Sequence, residues 1–306
     1  MPATQSSPKR LDIRLLAGLL GLTLMNSLSL NTIPLINGVW TERLHYDPTR
    51  VGFLLTLHLV TTAGVSITLS NRLNRIEPRG WGLIAGSVLI ATNLWFAVQD
   101  GYWALLGGSV ISGAALGVLI ACCTAALAST IRVDRNSAMV SIAATFLVAT
   151  FTVPIAHLMD AVGAVGLFLA QAAVATFAVC LTSLLPARKV EEIRPQPMSF
   201  ILTIGSPFVL SAVCLELGTA GIWAFTERIG AGIGLAPAIV GDVIAGASMF
   251  GIAGAIASAY LARPGRELLL AVCLLYTSDA VPDGDERSGV LLRIFRAICN
   301  GRWYFY

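Results

Sequence analysis

Residues Leu69–Gly80 read LSNRLNRIEPRG. Arg72 and Arg75 lie between an apolar run at Val51–Ser70 and another at Trp81–Val98. The same arginine spacing returns in YLARPGRELLL, Tyr260–Leu270, where Arg263 and Arg266 stand 191 residues beyond Arg72 and Arg75. A helix needs about 20 mainly apolar residues to cross the hydrocarbon core of a bilayer. Working outward from the first loop, eight runs qualify: Leu15–Val39, Val51–Ser70, Trp81–Val98, Trp103–Thr130, Ser137–Met159, Val162–Leu185, Ser206–Thr226 and Ala238–Leu261. The repeated loop therefore follows the second run and the eighth.

Composition agrees with a chain dissolved in lipid. Hydrophobic types make up 56% of the 306 residues and charged types 12%, and mean hydropathy is +0.78. A soluble globule of this size has no interior large enough for that much apolar surface, and disorder requires the opposite composition. A net charge of +3 gives no basis for binding nucleic acid. Cys122, Cys123, Cys180 and Cys214 lie inside apolar runs, without metal-ligand spacing. Neither a metal nor a cofactor is expected. The fold class expected is an all-α polytopic membrane protein.

Charge fixes the expected orientation. Loops on the N-terminal side hold thirteen basic residues, among them Arg72, Arg75, Arg79, Arg132, Arg135, Arg188 and Lys189; the opposite side holds three, Arg43, Arg50 and Arg228. The N-terminus is expected in the cytoplasm, with the chain in the cell inner (plasma) membrane. Pro186–Ser199, PARKVEEIRPQPMS, carries charge and three prolines and reads as a linker. The expected organisation is a six-helix bundle over 1–185, a linker over 186–199, and a partial second bundle over 200–272. From Cys273 the character changes. CLLYTSDA (273–280) resembles a translated sequencing adapter, so 273–306 is expected to be a non-native tail, with the parent gene continuing into four further spans.

Two like bundles, a charged linker and a repeated Arg loop resemble the major facilitator superfamily, over roughly residues 10–272. That family carries G-x-L-a-D-R-x-G-R after spans 2 and 8. In the first loop Leu69, Arg72 and Arg75 match, with Ile67 and Asn74 at glycine positions and Asn71 at the acid. In the second, Arg263, Gly265 and Arg266 match, with Ala262 at the acid. The resemblance implies a gating role for Asn71, Arg72, Arg75, Arg263 and Arg266, weakened by the missing carboxylates. Of the span-4 pattern L-x-x-x-R-x-x-Q-G only Leu105 and Gly113 match, and Ser109 and Ser112 hold the Arg and Gln positions. Of the antiporter pattern in span 5, Pro154 remains. The resemblance implies a secondary transporter, a permease or efflux protein, working as a monomer on a small organic solute, with protons as candidate co-substrate.

Polar residues in hydrocarbon are costly and mark candidate sites. Thr23, Ser27 and Asn31 recur every four residues, on one face of span 1, with Asn26 alongside and Pro34 beyond. Pro34 is expected to loosen that helix. His58 in span 2 is a candidate hydrogen-bonding or proton-accepting group. Glu216 in span 7 is the candidate coupling carboxyl, since an acid moved between dry and wet surroundings exchanges its proton. The substrate-binding set expected is thus Thr23, Asn26, Ser27, Asn31, His58 and Glu216. Glycines at 107, 108, 113, 117, 246, 251 and 254 are expected to let helices approach closely. Two other readings stand beside this one. His157 and Asp160 share a helical face, the one hint of an integral-membrane enzyme, and a receptor or scaffold on the same fold is the third reading.

Overall fold

The computed structural model describes residues 13–70, 77–130, 133–186, 213 and 223–261. The chain divides into two compact units, Met1–Phe250 and Gly251–Tyr306. Of the second, only residues 251–261 are described, as helix. Among the described residues there is no strand. The helices are α1 (Ile13–Asn31), α2 (Ile33–Gly38), α3 (Pro48–Ser70), α4 (Pro78–Val98), α5 (Tyr102–Ala128), α6 (Val133–Val162), α7 (Ala164–Thr182), α8 (Thr226–Gly232) and α9 (Pro237–Leu261). Six of them, α1 and α3–α7, are long and apolar enough to cross a membrane. The eighth expected run forms α9. The seventh falls largely outside the described residues, as do the expected linker and tail.

Local chemistry sets the helix boundaries. Pro78 opens α4 from an extended Glu77, where its missing N–H costs nothing. Asp47 precedes α3 and accepts the Thr49 amide at 2.7 Å, a capping bond. That bond, then the Thr49 side chain and the Arg50 charge, hold the Asp47 carboxyl below its usual range. Gly163 has φ +87°, a conformation that glycine adopts freely, and so the chain reverses between α6 and α7 at one residue. The first expected span is not one helix. It breaks after Asn31, restarts as α2 with Pro34 in its first turn, and ends in a π-helical turn, Val39–Arg43. The loosening expected at Pro34 is present.

Helix α3 packs on α5, α4 on both α5 and α7, and α1 on α5, α6 and α7. Leu19, Leu22, Leu24, Met25 and Leu28 of α1 are buried among them. In lipid, apolar burial does not draw helices together; close approach does, and it needs small residues. A Cβ on Gly113 would collide with the His58 carbonyl oxygen, and one on Gly117 would lie 2.6 Å from that of Thr62. Residues 113 and 117 are one turn apart, so the backbones of α3 and α5 touch along that turn. Thr62 Oγ1 donates across the seam to the Gly113 carbonyl at 3.0 Å. At Gly107, Gly246 and Gly251, a side chain would meet nothing within 4 Å among the described residues. Phe53, Val60, Ile84, Phe146 and Phe177 are exposed, as a lipid-facing perimeter requires.

Candidate functional site

The turns at 44–47, at 99–101 and at Gly163 share one end of the helices, called the Tyr46 end. There Tyr46 donates its hydroxyl proton to the Asp100 carbonyl.

Helix α1 presents two polar faces. Thr23, Ser27 and Asn31 form a half-buried stripe. Thr23 donates to the Leu19 carbonyl at 2.9 Å and lies 3.3 Å from Cys123 Sγ on α5. Asn31 donates to the Ser27 carbonyl at 2.8 Å. Apart from the Cys123 contact, these bonds are made to α1 itself. Asn26 Oδ1, by contrast, is buried with no hydrogen-bond donor among the described residues. An acceptor left this way favours a partner that brings an N–H or O–H.

The second face starts two residues on from Ser27, about 200° around the helix. Ser29, Ile33, Ile36 and Trp40 line a cavity closed by α3, α4, α5 and α7. His58 stands on its wall. The imidazole Nδ1 lies 3.1 Å from the Ser109 carbonyl oxygen and 2.9 Å from Ser112 Oγ. A carbonyl only accepts, so Nδ1 carries the proton. Ser109 and Ser112 are buried, and their short side chains leave room for the ring. Thr92, Asn93 and Gln171 complete the polar lining. The cavity offers about 40 Å³ of water-accessible space, far below the several hundred Å³ of a pocket for an organic ligand.

The structure therefore brings His58 together with Ser29, Asn93, Ser109, Ser112 and Gln171, and not with the Thr23–Asn31 stripe. Glu216, Asn71, Arg72, Arg75, Arg263 and Arg266 lie outside the described residues. Asn93 and Gln171 were passed over in the sequence. The cost of a polar side chain in hydrocarbon, applied evenly along the spans, points to both.

A third group of contacts lies towards the Tyr46 end. Asn37 donates its amide to the Ala224 carbonyl at 2.7 Å. Pro34 has no N–H to give the Leu30 carbonyl, four residues back. The Trp223 indole approaches that freed oxygen instead, with a long bond of 3.5 Å. His157 on α6 pairs with Asp242 on α9 at 3.5 Å, both side chains about half exposed. Gly241 packs on Ala156 closely enough that a side chain would strike its Cβ. His157 thus pairs with Asp242, and among the described residues no ion pair joins it to Asp160.

The family model described as Major Facilitator Superfamily matches residues 19–278. No match was found among curated proteins or among solved structures.

Proposed function

The chain belongs to the Major Facilitator Superfamily, whose members move small solutes across a membrane, and from that premise we propose alternating access between two bundles. In this reading residues 1–185 form one bundle and 200–272 part of the other, joined by the 186–199 linker. The bundles rock about a solute site faced by Thr23, Asn26, Ser27 and Asn31. The N-terminus is cytoplasmic and the Tyr46 end is the outer end.

One observation carries the reading. Among the described residues, the polar contacts from α1, α2 and α6 to Trp223, Ala224 and Asp242 are two hydrogen bonds and one His–Asp contact. Each is worth about 1 kcal/mol or less, so the outer end closes without being locked. The half-buried α1 stripe and the unpartnered Asn26 Oδ1 suit a face that exchanges water for solute. The solute is a small organic molecule with at least one hydrogen-bond donor. Glu216 is the proposed proton-coupling group, and Asn71, Arg72, Arg75, Arg263 and Arg266 the inner gate.

Cysteine accessibility tests this. Ser27→Cys on a cysteine-free background, in sealed vesicles, reacts with a membrane-impermeant thiol reagent from both sides. A disulfide between Asn37→Cys and Ala224→Cys abolishes the outer reaction and spares the inner one. Labelling from one side only, unaffected by the disulfide, would defeat alternating access. Solute flux whose pH dependence survives Glu216→Gln would remove proton coupling alone.

A further inference from the structure

Gln171 Nε2 and Trp40 Nε1 are both buried, and neither has a hydrogen-bond partner among the described residues. The two residues are 5% and 3% exposed, and both line the cavity beside His58. Orphaned donors of this kind cost about 1–3 kcal/mol each unless something accepts from them. With Nδ1 committed to the Ser109 carbonyl, the other imidazole nitrogen, Nε2, carries a lone pair and is an acceptor. The residues that carry these two donors and this acceptor therefore line the same small space.

We propose that this space is a built water site inside the six packed helices, holding a short hydrogen-bonded string of waters. Gln171 Nε2 and Trp40 Nε1 donate to it and His58 Nε2 accepts from it. Size selects water over an organic ligand. A water needs about 10–15 Å³ of such space, so 40 Å³ holds about three. A second cavity, of about 10 Å³, shares Ser29, Leu89, Asn93 and Gln171 with the first and continues to Val174 and Ala175. It has room for about one more water, and Gln171 lies where the two spaces meet. Charge also selects a neutral occupant. His58 is the sole ionisable group among the described residues lining either cavity, so none of these supplies a carboxylate to balance a bound cation. The string hydrates polar groups of α1, α3, α4, α5 and α7 that have no other solvent. It does not depend on the transport reading.

Radiolytic hydroxyl-radical footprinting of the full chain in nanodiscs tests it, because radicals form where water is bound. Leu89 lines both cavities, while Leu19 and Leu22 are buried elsewhere. Leu89 and Trp40 are expected to be modified several-fold faster than Leu19 and Leu22, and Gln171→Leu to lower the Leu89 rate. Leu89 rates equal to those of Leu19 and Leu22 in the unaltered chain would mean a dry cavity and overturn the proposal. A second measurement needs no change in the cavity. With His45 and His157 replaced, the ¹⁵N spectrum of the remaining histidine is expected to show a protonated Nδ1 and an unprotonated Nε2 in contact with water. The opposite tautomer, or no water contact, would also overturn it.

Discussion

The α3–α5 seam and the contacts that reach Trp223, Ala224 and Asp242 hold the molecule together in opposite ways. In the first, glycines bring two backbones into contact, Thr62 bridges to the Gly113 carbonyl, and His58 is tied to Ser109 and Ser112. In the second, Gly241 packs on Ala156 at a single position, and among the described residues one short hydrogen bond, one long one and one half-exposed His–Asp contact make up the rest. Packed backbones have no intermediate arrangement, whereas a few polar contacts exchange readily for water. The six packed helices are therefore expected to move as one body, and the Tyr46-end contacts to part.

The sharpest way to break that contrast is to disturb the tight seam. Gly113→Val drives a side chain into the His58 carbonyl, and backbone cannot swing aside. A destabilisation of about 3 kcal/mol is expected in thermal unfolding followed by tryptophan fluorescence in detergent. Gly107→Ala, on the same helix but facing open space, is expected to leave the midpoint within error. Equal effects from the two would erase the distinction.

Disturbing the loose contacts is expected to move an equilibrium instead of the melting point. Asn37→Ala removes the bond to Ala224, worth about 1 kcal/mol. The outer-side reactivity of a Ser27→Cys reporter should rise about fivefold, with the unfolding midpoint nearly unchanged. His157→Ala removes an exposed pair worth about 0.5 kcal/mol. About a twofold rise is expected, and a larger one than for Asn37→Ala would invert the ranking of the two contacts.

The smallest effect concerns the cap on α3. The Asp47 carboxyl is held low by the folded state, so its contribution is complete above the unfolded value. It is lost as pH falls through the lowered folded one. Amide exchange at Thr49–Val51, corrected for intrinsic rates, is expected to speed up in that acid range alone. Exchange that ignores pH there would show that the cap is idle.

Much of this architecture was legible because lipid demands long apolar runs and leaves charge at their ends. The break in the first span was legible at Pro34, where a missing N–H frees the Leu30 carbonyl. The partner that approaches this carbonyl, Trp223, was not, since nothing in a local window connects residues 193 positions apart. His58 was singled out, but its partners were noted only as departures from a motif: Ser109 and Ser112 read as losses in sequence and become the imidazole's anchors in three dimensions. Asn93 and Gln171 stand alone in apolar runs, without any spacing to announce them.

Paired distance measurements test the central claim most directly. In a cysteine-free background, one pair of spin labels at Asp160→Cys and Ile239→Cys spans the loose contacts. A second pair at Phe53→Cys and Ile111→Cys spans the α3–α5 seam. All four positions are exposed. In lipid, the 160–239 distances are expected to fall into two populations whose ratio shifts with Asn37→Ala, while the 53–111 distances keep one narrow peak. A fixed 160–239 distance, or a 53–111 distribution that broadens alongside it, would contradict the account.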